Sequence, residues 1–169
     1  MNVVGIGTDI VHLPRIARII AKYGRSRASS SMHRITKKFM AEPERLRFQT
    51  LLTENNSELD MRNAVRYMAG VWATKESLLK ALSCYVPVSE LPPAQTIYSK
   101  LFCKKNLSSG VPIVQILEDF PMRCPEYKDF YYNYIFHDLK ALISISHDQD
   151  YLICHSCLLS QNNPGKTDT

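Results

Sequence analysis

Trp72-Ala73-Thr74-Lys75-Glu76-Ser77-Leu78-Leu79-Lys80-Ala81 lies near the end of a proline-free run from Ser57 to about Leu82. Within that run Val65, Met68, Ala69, Trp72 and Leu79 fall on one side, a spacing that predicts the strongest helix of the chain. Pro87, Pro92 and Pro93 show that it has ended. Glu76 interrupts the apolar side, one turn after Trp72 and one turn before Lys80. A Glu-to-Lys pair at this spacing stabilises a helix by about 0.3–0.5 kcal/mol and by itself needs no function. A face carrying Trp72, Glu76 and Leu79 is nevertheless at least partly buried, and a half-buried acid calls for a partner.

Upstream, Val3-Val4-Gly5-Ile6-Gly7-Thr8-Asp9-Ile10-Val11 is β-branched and glycine-punctuated, as a buried strand is, and leaves no room before it for a cleavable leader. Pro14 suits a first helical turn, and Ile16, Ala17, Ile19 and Ile20 give the short helix that follows an apolar side. Gly24 to Ser31 reads as a flexible connection, and the basic stretch through Arg47 as helical pieces. Downstream, Val86 to Lys105 reads as a loop or inserted excursion, and Ile113 to Leu117 as a strand. The tyrosine-rich segment Asp119–Asp138 fits neither helix nor strand cleanly. Lys140–Ser146 and Tyr151–Leu159 read as strands of a hairpin whose turn is His147-Asp148-Gln149-Asp150. The expected architecture is one α+β domain over residues 1–160, with 161–169 as a flexible tail.

Hydrophobic residues make up 45% of the 169, enough for a core. No run of eighteen uncharged apolar residues is present, so no membrane-spanning helix is expected, and the first residues lack the order of a secretory signal. The five cysteines are odd in number and irregularly spaced, which predicts reduced thiols. Cys154 and Cys157 fall three apart in an alternating strand, on opposite faces, and so do not form a metal pair. A formal charge of +5 favours an anionic partner, whether nucleic acid, phosphorylated cofactor or acidic protein.

Gly5-Ile6-Gly7 invites a dinucleotide-binding reading, but Ile10 stands where the third glycine of that motif belongs, and Asp9 would repel a diphosphate. A divalent cation between them reverses the objection, since magnesium takes one or two protein carboxylates, waters and substrate phosphate oxygens. Asp9 then needs a second acid, and Glu76 is the best candidate. His147, closing the strand before it, is placed to reach a ligand near the sheet edge. Arg15, Arg18 and Lys22 form one basic helical stripe.

Three stretches together resemble the holo-acyl-carrier-protein synthase family of 4′-phosphopantetheinyl transferases. They are Gly5-Ile6-Gly7-Thr8-Asp9-Ile10-Val11 with Arg15-Ile16, then Trp72 to Ala81, then Ser144-Ile145-Ser146-His147-Asp148; Gly110-Val111-Pro112 matches a fourth family element. The resemblance implies the family fold, a small mostly antiparallel sheet packed on a long helix. It implies transfer of 4′-phosphopantetheine from coenzyme A to a serine of apo-acyl carrier protein. Asp9 and Glu76 would hold Mg2+ on the diphosphate, Lys80 would contact the phosphates, His147 would help hold the nucleotide end, and Arg15 would meet the carrier protein. Glu76 could also accept the serine proton. Short members form homotrimers with active sites between subunits. The sequence departs from the compact bacterial pattern at Val71, where a basic residue is often found, and by insertions around 24–47, 83–105 and 119–138. Its length is similar to that of fungal mitochondrial members, which implies a mitochondrial location, with the cytoplasm as the alternative.

Two other readings compete. A nucleic-acid-binding module would use the basic charge and the tyrosines near Lys128, but it leaves Asp9 and Glu76 unexplained. A noncatalytic subunit of the same fold is opposed by the intact Asp9, Glu76 and Lys80. The expectation is therefore a transferase that binds neither nucleic acid nor membrane.

Overall fold

A computed structural model describes residues 1–23, 30–53, 58–136 and 139–161. Its centre is α4 (Glu58–Leu82), the predicted long helix. Ala64, Ala69, Val71, Ala73, Leu78, Ala81 and Leu82 are all fully buried, so α4 is enclosed on most sides rather than along one stripe. A three-stranded antiparallel sheet covers one side, in the order β1 (Asn2–His12), β5 (Tyr151–Ser160), β4 (Lys140–Asp148). In register, Asp9 lies opposite Cys154, and Cys154 opposite Ile145. Alternation along β5 sends Leu152, Cys154 and Leu158 into the core against α4. The other sheet face is open, with Ile6 67% and Ile10 61% exposed.

The remaining sides of α4 meet α1 (Leu13–Tyr23) and α3 (Glu42–Thr53), with α2 (Ser30–Lys37) between them in sequence. The Leu13 amide donates to the Asp150 carbonyl at 2.7 Å, tying the start of α1 to the β4–β5 turn. Glu44 anchors α3. It is fully buried, accepts from the Ala41 amide at 2.6 Å and the Lys104 amide at 2.5 Å, and pairs with the buried Lys75 ammonium at 2.9 Å. Lys75 also donates to the Phe102 carbonyl.

The expected loop at 86–105 is instead ordered and largely helical before it becomes a strand. A single turn at Val88–Glu90 leads into α5 (Ala94–Thr96), which widens into a π-turn at Ile97–Leu101. Then β2 (Phe102–Asn106) pairs with β3 (Pro112–Ile116) in a second, two-stranded sheet, closed by a turn with Gly110 at φ 86°. Ile97, Leu101, Phe102 and Cys103 have no exposed surface, which explains why the segment folds despite its prolines. The aromatic segment is helical: α6 (Phe120–Arg123), a 3₁₀ turn at Pro125–Tyr127 and α7 (Lys128–Tyr134). Phe120, Phe130 and Tyr131 pack on one another, with Phe120 stacked on Tyr131 at 5.7 Å. Tyr131 therefore serves the core, which removes part of the base-stacking surface that a nucleic-acid reading requires.

The hairpin turn is shorter than expected. His147 and Asp148 belong to β4, and Gln149, at φ 45°, makes the turn with Asp150. The connection expected at 24–31 falls outside the described residues, except for Ser30 and Ser31, which open α2. The tail from 162 onward also lies outside them. Among the described residues no helix is long and apolar enough to cross a membrane.

Candidate active site

The two glycines of β1 set the site. A Cβ on Gly5 would lie 2.0 Å from the Ala81 carbonyl oxygen, and one on Gly7 1.9 Å from that of Ser77. Only a strand without side chains at those inward positions can lie so close to the helix backbone. Their role is close packing of β1 on α4, not a phosphate-binding loop. Asp9, the next inward residue of β1, is thereby brought to the last turns of α4. The Lys80 ammonium meets it, 2.9 Å from Asp9 Oδ1 and 2.8 Å from the Thr8 carbonyl oxygen. The Asp9 carboxylate is 15% exposed while the Lys80 side chain is 51% exposed. The cation thus has one end in solvent and is free to turn toward a ligand.

Glu76 is half-buried one turn before Lys80. Its neighbour comes from the inserted segment: Tyr98, on the π-turn and 7% exposed, lies beside the Glu76 carboxylate. Burial, then the Glu76 charge and the hydrogen bond to it, push the Tyr98 phenol well above its ordinary range; Asp9 adds to the effect. Tyr98 therefore stays protonated beside Glu76, and it feels both acids. Trp72 stands beside it, 6.5 Å from the Tyr98 ring and 5.0 Å edge-on to Phe39.

A cleft of about 400 Å³ opens here, with Asp9, Arg15, Tyr23, Phe39, Met68 and Trp72 among its walls. A second, of about 380 Å³, lies on the other side of Trp72 and Phe39 and reaches Lys38, Gln95 and Tyr98. Asp9 and Arg15 thus share one cleft, and Lys80 reaches it through its ion pair with Asp9. Arg15, Arg18 and Lys22 are all exposed on α1, as the stripe predicts.

His147 is not part of this group. It lies opposite Leu152, which lies opposite Val11, so it is two strands from β1, about 10 Å across the sheet, and two residues further along than Asp9. It is exposed. Val71, at the position where a basic residue was expected to be missing, is fully buried and contributes nothing to the site.

Two residues around Glu76 escape the sequence patterns, one beside its carboxylate and one in the supporting core. Tyr98 sat in a segment read as loop, although Ile97, Tyr98, Leu101 and Phe102 have the spacing of a buried turn. Lys75, adjacent to Glu76, is a structural cation whose partner on α3 no local pattern reveals. Burial pushes the Cys154 thiol up, against the smaller lowering effect of hydrogen bonds from Ser77 and Thr74. All five thiols are free.

A carboxylate on the first strand thus meets a Lys of the central helix, one turn after Glu76. Residues 5–140 match the model of the 4′-phosphopantetheinyl transferase superfamily, and the chain belongs to it. Within it, the similarity is to the holo-acyl-carrier-protein synthases. The mitochondrial holo-acyl-carrier-protein synthase of Saccharomyces cerevisiae is 40% identical over 168 residues, covering 95% of this chain and 94% of that one. The Candida glabrata protein of the same name is 36% identical, covering 96% and 99%. The fold matches the crystal structure of the Neisseria meningitidis synthase with a TM-score of 0.59 at 19% identity, covering 94% of this chain and all 100% of that one. A Bacillus anthracis synthase solved in complex with coenzyme A (3′,5′-ADP) matches at 0.58, also at 19% identity, covering 94% and 98%. His147 lies beyond the residues that the family model matches.

Proposed function

We propose that this chain is a mitochondrial holo-acyl-carrier-protein synthase that uses Asp9, Glu76 and Lys80 to move 4′-phosphopantetheine from coenzyme A to a serine of apo-acyl carrier protein. The observation that carries this reading is the shared cleft. Asp9, which meets Lys80, lines the same 400 Å³ space as Arg15, which stands on the exposed basic stripe of α1. A small acidic carrier docked on that stripe presents its serine toward Asp9.

Asp9 and Glu76 fit magnesium. They supply two carboxylates to a cation that completes its shell with water and substrate oxygens. Bound there, magnesium supplies positive charge to the diphosphate. Lys80 turns from Asp9 to a phosphate oxygen, for which its half-exposed side chain leaves it free. In the reaction the serine oxygen forms a bond to the pantetheine-side phosphorus, and the bond from that phosphorus to the bridging oxygen breaks. The electron pair leaves with 3′,5′-ADP. The serine proton passes to Glu76, directly or through a water, while Tyr98 keeps the carboxylate oriented.

His147 completes the site from a second copy. The open sheet face, with Ile6, Ile10 and Leu142 exposed, supports self-association into a homotrimer, in which a neighbouring subunit can bring this histidine to the nucleotide end.

The test is release of 3′,5′-ADP from coenzyme A with magnesium, in the presence and absence of apo-acyl carrier protein. The proposal expects release only with the apo-carrier, and none with a carrier whose acceptor serine is alanine. Equal release without carrier would mean hydrolysis of coenzyme A rather than transfer.

A further inference from the structure

A cavity of about 600 Å³ lies away from this site. It lies between α3, the N-terminal half of α4 and β2, with Arg47, Asn63, Arg66, Tyr67, Lys104 and Lys105 among its walls. It shares no lining residue with the two clefts beside Trp72. Arg66 and Glu76 are separated by about 15 Å along the axis of α4.

Four cations converge on this space. The acid on its wall, Glu44, is fully buried and already satisfied by the Lys75 ammonium and two backbone amides. Among the described residues, Arg47, Arg66 and Lys105 make no ion pair with a carboxylate. Lys104 is held in place rather than splayed into solvent: its ammonium lies 5.6 Å from the centre of the Tyr67 ring and donates to Asn106 Oδ1 at 2.7 Å. Burial holds that ammonium below the usual lysine range, against the pull of Glu44. Like charges gathered in a concave space repel one another unless an anion joins them. Arginine forks and an oriented ammonium are the donors that suit phosphate oxygens, and Asn63 adds an uncharged donor.

We infer that this cavity is a second anion site, separate from the transfer centre, that takes a small molecule bearing a phosphate or diphosphate group. A small molecule is favoured over a protein or nucleic acid because the cations line a cavity bounded by three elements rather than a flat surface. The faces of Tyr67 are also taken, one stacked on Phe48 at 6.4 Å and the ring approached by Lys104, so recognition rests on the phosphate and not on base stacking.

Inorganic pyrophosphate, titrated calorimetrically into the full chain without magnesium and at physiological salt, is the probe. Arg47 and Arg66 are exposed, so Arg47→Gln/Arg66→Gln is expected to fold normally, which circular dichroism checks. The inference expects the double variant to weaken pyrophosphate binding about tenfold or more, the loss of two charge-assisted contacts. It expects Lys80→Ala to leave that binding within twofold. Binding lost in Lys80→Ala but kept in the double variant would place the anion at the transfer centre and overturn the inference. It would equally be overturned if the double variant kept pyrophosphate binding but lost affinity for acyl carrier protein, since the cations would then serve a protein surface.

Discussion

The Lys80 ammonium sits 2.9 Å from Asp9 Oδ1, so the cation assigned to the phosphates holds the carboxylate assigned to the metal. The two roles are compatible only if Lys80 gives up Asp9 when substrate arrives. Lys80→Ala is expected to lower kcat for transfer by about 10²–10³-fold, the cost of removing one charge-stabilising donor. It should leave magnesium affinity unchanged or tighter, because a competing cation has gone. Weaker magnesium binding in this variant, measured by calorimetry with coenzyme A present, would contradict the assignment.

The glycines that let β1 approach α4 make a second prediction. Gly7→Ala places a methyl group where the Ser77 carbonyl oxygen stands, 1.9 Å away, and the obstacle is helix backbone that cannot swing aside. Destabilisation of about 1–3 kcal/mol or more is expected from denaturant unfolding. Transfer should fall as well, since Asp9 follows Gly7 on the same face. Ile6→Ala, whose side chain points out of the sheet, should do neither in the monomer.

Glu44 and Lys75 form a fully buried pair, and breaking one side leaves a charge without a partner. Glu44→Gln is expected to cost about 3–5 kcal/mol, and Glu44→Gln with Lys75→Met less than the sum of the two single changes. Additive losses in a double-mutant cycle would show that the two residues act independently.

Alkaline stability follows from the buried phenols. Burial leads in raising both Tyr67 and Tyr98, with Glu44 adding to the first and Glu76 to the second. A tyrosine whose folded pKa lies above its unfolded value contributes stability that is complete below the unfolded value, about 10. That contribution is lost as pH rises from there toward the folded value. Unfolding free energy should therefore decline above about pH 10, and Tyr98→Phe should flatten the decline. The same slope in wild type and variant would remove Tyr98 from this account.

Self-association is expected to depend on the open sheet face. Light scattering should give three times the mass of one chain, and Ile6→Lys/Ile10→Lys should reduce it to one. A trimer that survives both charges would place the interface elsewhere.

Much of this site was legible in the sequence because it uses short periodicities. The long helix showed itself through Val65, Met68, Ala69 and Trp72, and β1 through its β-branched run. The hairpin turn is two residues shorter than its polar residues suggest, because His147-Asp148 is polar enough to pass for a turn while continuing the β4 ladder. The insert carrying Tyr98 was hidden for a different reason. Pro92 and Pro93 read as loop, and the burial that makes Ile97–Leu101 a π-turn and Phe102–Asn106 a strand comes from elements distant in the chain. The same holds for Glu44, whose partner on α4 is fixed only by tertiary packing.

The central claim is that Asp9, which β1 carries to α4, and Glu76 of that helix support magnesium-dependent phosphopantetheinyl transfer. Intact mass of apo-acyl carrier protein after incubation with coenzyme A and magnesium tests it most directly. Wild-type protein is expected to add one phosphopantetheine, and to add none with chelator. Asp9→Ala and Glu76→Ala should add none at matched time while remaining folded. An unchanged carrier mass with wild type, or full modification by either variant, would contradict the account.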